Sequence, residues 1–169
     1  VYSTFESFKA QNEELSAGIL HQEDVSILSE KIEIEGKTVH NRLVCQAMEG
    51  CDSDEVGAPG ELTIRRYDRF VRGGSGLIWF EATACREDGR ANPRQLWIRK
   101  DNLDSFKKIV EDMKETGLKE NGYEPVIIMQ ATHSGRYSKP HGVPEPLIAY
   151  NNPIFEKDSP ISADRIVTD

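Results

Sequence analysis

The chain has 169 residues, of which 37% are hydrophobic and 30% are charged, a balance typical of one globular domain. Its formal net charge of −8 disfavours nucleic acid and anionic membranes as partners, because proteins that bind phosphate backbones usually carry a basic face. No apolar run approaches the roughly 20 residues of a membrane-spanning helix, and no secretory signal is visible at the start.

Residues 1–26 are mostly polar and are predicted to form an N-terminal extension that contains a loose helix. Beyond them, apolar and polar residues alternate on either side of Glu35 and Gly36, which predicts a β-hairpin. A short apolar strand is expected to follow directly, at residues 43–48. The first regular elements of the chain are therefore β-strands.

The rest of the chain alternates helices with apolar strands. Helices are predicted at residues 61–74 and 102–117, strands at residues 76–84 and 124–132, and a last helix from an N-cap at Ser162. Continuous apolar strands separated by helices predict parallel βαβ units. The loops after the strands are long and polar, whereas those after the helices are short, as in a (β/α) barrel whose active site lies at the strands' carboxyl ends.

The predicted fold is α/β: a partial TIM (β/α)8 barrel, made of the first three βα units preceded by a β-hairpin. A full barrel takes about 250 residues, so residues 27–169 are expected to be the N-terminal portion of an incomplete barrel. Three strands leave an apolar sheet edge open. This edge is a candidate surface for self-association or for pairing with a C-terminal half.

The carboxyl ends of the three strands would gather at one mouth of such a barrel. Small residues such as Ala82 leave room there for a flat ligand, and Gln130 offers the donor and the acceptor that a ring with carbonyl and N–H edges requires. Glu81 has a second interpretation as a structural carboxylate paired with an arginine. Two histidines of one loop, His133 and His141, lack an evident third ligand, so a structural role is favoured over a metal site.

The three cysteines are odd in number and lack C-x-x-C spacing, which favours reduced thiols in a cytoplasmic protein over a disulfide framework or a zinc site. Cys45 is interpreted as a small core residue within its strand. Cys51 follows the carboxyl end of that strand among polar residues, and a site-facing thiol is as well supported there as an idle one.

Four motifs occur in one order: NRLVCQAMEGCD, ELTIRRYDRFVRGGSGLIWFEATA, GRANPRQLWI and MQATHSGRYS. Together they resemble the N-terminal part of the old yellow enzyme family of NADH:flavin oxidoreductases. The resemblance implies an FMN-containing (β/α) barrel. It also implies hydride transfer from NAD(P)H through the flavin to a small-molecule substrate, an activated alkene such as an enone.

The resemblance assigns five positions to the cofactor. Ala47, Met48 and Glu49 match the segment whose backbone lies against the flavin. Ala82 matches the small residue under the isoalloxazine ring, and Gln130 matches the glutamine that bonds the pyrimidine edge. The family usually has proline before the methionine, so Ala47 is a departure that loosens this turn.

Cys51 and Thr132 fall on the substrate side of the family's pocket. The family's substrate-binding donors, its tyrosine proton donor and its phosphate site are expected after residue 169, so no catalytic residue is assignable here. Two functions follow from the sequence. The chain is a fragment of an FMN-dependent ene-reductase-like enzyme, or it is a non-catalytic partial barrel that assembles with a second chain.

Overall fold

The computed structural model describes residues 2–167, which contain a two-stranded antiparallel sheet and a three-stranded parallel sheet. In chain order the helices and strands are α1 (Phe5–Glu14), β1 (Ile32–Ile34), β2 (Lys37–Val39), β3 (Val44–Cys45), α2 (Glu61–Arg72), β4 (Leu77–Ala84), α3 (Leu103–Asn121) and β5 (Val126–Thr132). Short 3-10 turns lie at Ser26–Ser29, Glu87–Gly89, Gly135–Tyr137 and Ala163–Arg165. A hairpin followed by strand, helix, strand, helix and strand is the predicted order.

The hairpin pairs β1 with β2 through the turn that the sequence predicts. Glu35 and Gly36 have φ values of 48° and 71°, the left-handed pair that suits the twist of a two-residue hairpin. After β2, the side chain of Asn41 donates to the carbonyl of Gly74 at 2.6 Å and accepts from the amide of Gly76 at 2.8 Å. These bonds fix the exit of the hairpin at the amino end of β4.

The parallel sheet has the order β3–β4–β5, with β4 in the centre. β4 and β5 match their predicted ranges to within two residues, but β3 is shorter than the predicted 43–48. Beyond Cys45 the chain leaves the sheet and enters a loop in which Cys51 takes a left-handed φ of 50°. The residues that follow β3 are therefore positioned by loop contacts.

The two faces of this sheet differ in their surroundings. The helix-covered face, which carries Ile78 and Phe80, packs on apolar side chains of α2 and α3. Because side chains alternate along a strand, Trp79 lies on the opposite face, which we call the open face, beside its β5 partner Ile128. Trp79 is 40% exposed and Ile128 is 37% exposed.

Helix α3 corrects one prediction, since it runs through Gly117 and ends at Gly122, where φ is 78°. A Cβ at position 117 would lie 2.6 Å from Cδ of Pro125 and 2.8 Å from the carbonyl oxygen of Tyr123. Gly117 therefore permits close packing of the chain that enters β5 and does not stop the helix.

The prediction of a helix after Ser162 is also wrong for the residues that the structure describes, which end at residue 167. Ser162 precedes a single 3-10 turn, after which Ile166 is extended and pairs with Ile148 in an isolated bridge. The amide of Val167 donates to the carbonyl of Ile148 at 2.8 Å, so a strand-like bond replaces the helical one. Residues 168–169 lie outside the described part of the chain.

Helix α1 buries none of its residues and is held locally by a capping box at Thr4. The boundary at residue 26 between an extension and a barrel stays a prediction. None of the helices within residues 2–167 has both the length and the apolar character that crossing a membrane requires.

Candidate functional site

The buried side chain of Gln95 connects the carboxyl ends of all three parallel strands. Its Nε2 lies 3.2 Å from a carboxylate oxygen of Glu49, 3.2 Å from the carbonyl oxygen of Ala82 and 3.4 Å from the hydroxyl of Thr132. Its Oε1 accepts from the amide of Ala91 at 2.6 Å. Three of the residues predicted for one site are therefore brought together by a fourth that the prediction did not name.

Ala82 and Gln130 lie across from each other at a point where the pairing of β4 with β5 is irregular. The register shifts by one residue, so that Glu81 and Ala82 both lie across from Gln130. Gln130 is exposed, and it lies two residues beyond Ile128 on the open face. A small residue and an exposed amide thus occupy one level of the sheet near its carboxyl end.

The sequence allows two interpretations of Glu81, a residue of the site or a structural carboxylate paired with an arginine. The structure supports the second. It is buried, it pairs with the guanidinium of Arg66 on α2 at 2.5 Å, and it accepts from the amide of Gly50 at 2.9 Å. Arg66 also pairs with Asp52, which accepts a 2.6 Å bond from the hydroxyl of Thr63. The bond from Arg66 is the main cause that lowers the pKa of Asp52. This cluster anchors the loop after β3 to α2 and β4.

Glu49 lies in the same loop, partly buried, and accepts from amide groups. Besides Gln95, the side chain of Asn92 donates to it at 3.3 Å. The neighbouring carboxylates of Asp52 and Glu81 share the guanidinium of Arg66. Glu49, by contrast, has no cationic partner among the ion pairs formed by residues 2–167. Burial, followed by the charge of Glu81, raises the pKa of Glu49. The site therefore holds a carboxyl group that is easier to protonate than usual.

Cys51 is exposed next to this carboxyl group. Its sulfur lies 3.8 Å from an oxygen of Glu49 and 3.4 Å from the side-chain nitrogen of Asn92. Burial and then the charge of Glu49 raise the pKa of the thiol, which disfavours the nucleophilic thiolate. Met48 is 71% exposed at the surface of this loop, and Ala47 is partly buried there. The loop after β3 thus carries four predicted site residues.

Sequence reasoning missed Gln95, Asn92 and Arg66. The loop that carries Gln95 and Asn92 follows the carboxyl end of a predicted strand, so the barrel pattern could have drawn attention to its amides. Nothing in the sequence separates Gln95 from its polar neighbours, because its burial results from how that loop folds back over β4, where the amide of Ala84 bonds the carbonyl of Leu96 at 2.8 Å.

No family model matches the chain. An NADPH dehydrogenase from Geobacillus sp. (strain WCH70) is 34% identical over 112 residues, which cover 64% of this chain and 31% of that protein. The solved structure of an old yellow enzyme homologue from Zymomonas mobilis has a TM-score of 0.62 at 21% identity, covering 74% of this chain and 33% of that one. Morphinone reductase in complex with tetrahydroNAD gives 0.60 at 23% identity, with 74% and 33% covered.

The chain is similar to part of an old yellow enzyme. The resemblance that the motifs predict is thereby confirmed, and the fold is part of a TIM barrel. The chain spans about a third of the length of each of these three relatives. The proteins that it resembles are oxidoreductases, among them an NADPH dehydrogenase and a morphinone reductase.

Proposed function

We propose that this chain forms part of an FMN-dependent NAD(P)H oxidoreductase that reduces activated C=C bonds such as those of enones. The observation that supports this most is the placement of Ala82 and Gln130 at one level of the β4–β5 ladder near its carboxyl end. In the complete enzyme, FMN would supply the hydride chemistry, while protein groups bind, orient and exclude water.

The residues at the strand ends suit a flat ring with polar edges. Gln130 presents an exposed side chain with one acceptor and two donors, which matches alternating carbonyl and N–H groups. Ala82 is 8% exposed and brings only a single methyl group to the position across from it. Ala47, Met48 and Glu49 would lie against the ring through the loop after β3. Cys51 and Thr132 would lie on the substrate side.

This chain's other contribution is to keep that loop in place. Arg66 bonds both Asp52 and Glu81, so the segment 49–52 is tied to α2 and β4 on one side. Gln95 ties Glu49 on the other. A site held from two sides keeps its geometry when a ligand leaves, which is what preorganised binding requires.

The test is flavin binding by the protein expressed from its complete reading frame. We expect a visible flavin absorption band in the purified protein, with the intact mass recorded on the same sample. Replacing Gln130 with leucine is expected to weaken FMN binding about tenfold or more, the loss typical of a recognition hydrogen bond. Gln11→Leu, which changes an exposed glutamine of α1, serves as the matched control. An unchanged FMN affinity in Q130L would contradict the proposal.

The second candidate, an assembly module, is favoured by the apolar side chains exposed on the sheet. Trp79, Ile128 and Met129 are each 37–42% exposed, and β5 is an edge strand. A second copy or a separate C-terminal chain would pair with this edge. A protein of defined dimer mass without flavin, measured by analytical ultracentrifugation, would support this function over the first.

We further propose that the protein is cytoplasmic. Cys45, Cys51 and Cys85 are all free thiols in the structure, which suits a reducing compartment. Alkylation of a freshly opened cell extract followed by mass spectrometry is expected to label the exposed Cys51 and Cys85. A disulfide at either of these positions would argue against a reducing compartment.

A further inference from the structure

Both polar atoms of the Gln95 side chain are engaged at the carboxyl end of the sheet. It is 1% exposed, and its amide nitrogen contacts Glu49, Ala82 and Thr132, one from each strand or the loop that follows it. A buried amide with every polar atom engaged is rigid, because any displacement leaves a donor or an acceptor unpaired. The side chain therefore fixes these three segments relative to one another.

Glu49 is the ionisable residue among the three that Gln95 contacts, and a second carboxylate lies near it. Glu81 faces it from β4, and Cys51 lies beside it on the same loop. Arg66 of α2 is engaged by Asp52 and Glu81. Arg94, whose charge also lowers the pKa of Asp52, is not among the ion-pair partners of Glu49 within residues 2–167. Three side chains donate to the carboxylate and so favour ionised Glu49: the amides of Asn92 and Gln95 and the thiol of Cys51.

We propose that Gln95 is a positioning residue that holds the Glu49 carboxyl group at the ligand side of the sheet, so that ligand binding is coupled to protonation of Glu49. The inference rests on the proposed function, since the ligand is the flat ring placed there. A ring that covers Glu49 removes water from a carboxylate without a cation, which favours the neutral acid. Binding then takes up one proton from solvent, and affinity rises as pH falls through the titration of Glu49.

The neighbouring groups do not share this behaviour. Asp52 is bonded by Arg66, which lowers its pKa and keeps it ionised. The pKa of Cys51 is raised, which keeps the thiol protonated near neutral pH. Glu49 combines a raised pKa with a place beside the proposed ring, so the coupling is assigned to it.

The experiment measures the Kd for FMN against pH by quenching of FMN fluorescence. It compares the unaltered protein with E49Q, Q95M and the control N102L. Asn102 is also a buried amide; it donates to the carbonyls of Val56 and Trp97 and touches none of the proposed site residues. The pH dependence that remains in E49Q belongs to the phosphate of FMN and is subtracted.

We expect Q95M to bind FMN about tenfold more weakly at pH values where Glu49 is protonated in both proteins, because the loop that carries Glu49 is no longer held against β4. The titration midpoint is expected to shift to higher pH, because a donor that favours the carboxylate is gone. E49Q is expected to remove the proton coupling. N102L is expected to lower thermal stability as Q95M does, while its FMN affinity and pH profile stay unchanged. Without ligand, the carboxyl carbon NMR shift of Glu49 is expected to titrate at higher pH in Q95M.

The outcomes separate this inference from the proposed function. Absence of FMN binding at every pH overturns both. Binding by the unaltered protein, with Q95M indistinguishable from N102L, overturns the positioning role of Gln95 and leaves the proposed function standing. A pH profile of the unaltered protein identical to that of E49Q overturns the coupling alone.

Discussion

On the helix-covered face, Phe80 is 3% exposed and stacks on the ring of Tyr67 at a centroid distance of 4.2 Å. On the open face, the preceding residue, Trp79, keeps 40% of its surface in solvent. Strands that are apolar on both faces belong to parallel sheets covered on both sides. Residues 2–167 cover one face of the sheet with helices and leave the other face open. A ligand, further chain or a second copy would cover that open face.

The largest expected effect comes from substituting the two adjacent aromatic residues. Phe80→Ala is expected to lower the free energy of unfolding by about 3–5 kcal/mol through a cavity between β4 and the helices. Trp79→Ala is expected to cost about 1–2 kcal/mol, since 40% of that residue's surface already lies in solvent. Urea unfolding of both variants checks this. Equal losses would mean that the open face is covered in solution.

The next largest loss of stability is expected from breaking the ion cluster in which Arg66 of α2 pairs with Asp52 and Glu81. The pKa of Asp52 is lowered in the folded protein, so its contribution to stability is present above the unfolded pKa of about 3.9 and is lost as pH falls through the folded value. Asp52→Asn is expected to cost about 1.5–3 kcal/mol at neutral pH and progressively less in strong acid.

The measurement is thermal unfolding of Asp52→Asn across pH. Asp104→Asn is the control, because the Asp104 side chain is 97% exposed and its ion pair within residues 2–167 is an exposed one, with Lys107 at 3.1 Å. That substitution is expected to change stability by less than about 0.5 kcal/mol at any pH. A loss in Asp52→Asn that does not depend on pH would show that the packing of Asp52, and not its charge, stabilises the loop.

Self-association should depend on the open face. Ile128→Ser is expected to weaken any concentration-dependent association seen by sedimentation velocity, because it removes apolar surface beside an edge strand. Leu118→Ser changes an apolar residue on α3 that is more exposed than Ile128, at 57% against 37%, and is expected to leave association unchanged. Equal behaviour of the two variants would remove the open face from consideration as the contact.

The smallest effect concerns the hairpin turn, which belongs to neither face. Gly36→Ala is expected to cost about 1 kcal/mol, because φ at this position is 71° and alanine is strained there. Gly18 has a similar φ of 64° and equally open space around it, but it lies in an exposed segment. Gly18→Ala should leave global unfolding unaffected. A loss there equal to that of Gly36→Ala would mean that residues 1–26 pack on the barrel.

The sequence predicts the elements well wherever local chemistry decides them. The Glu35–Gly36 turn, the amphipathic pattern of α2 and the apolar run of β5 are each encoded by a few neighbouring residues. The predicted end of α3 is wrong because Gly117 serves a tertiary contact with Pro125, which no local rule reveals. The helix expected after Ser162 is replaced by a long-range bond between Ile148 and Val167.

For the site, strand order is enough to place Glu49, Ala82 and Thr132 together, because carboxyl ends of parallel strands share an edge. The residue that joins them could not be found in this way. Gln95 lies in an irregular loop, and its role depends on burial and on distances that the fold alone determines.

The extra residue in β4 changes what the strand tolerates. Two residues stand across from Gln130, and one of them, Glu81, reaches α2 while its neighbour Ala82 stays small. Losing either residue would restore a regular ladder and leave Thr83 paired as before. The residue that remains would lie on the open face, because it follows Phe80, so either deletion would remove the charge anchor to α2. A deletion earlier in the strand would instead exchange the faces of every residue back to Leu77. The irregularity therefore lets one strand direct Glu81 to α2 while it keeps Ala82 across from Gln130.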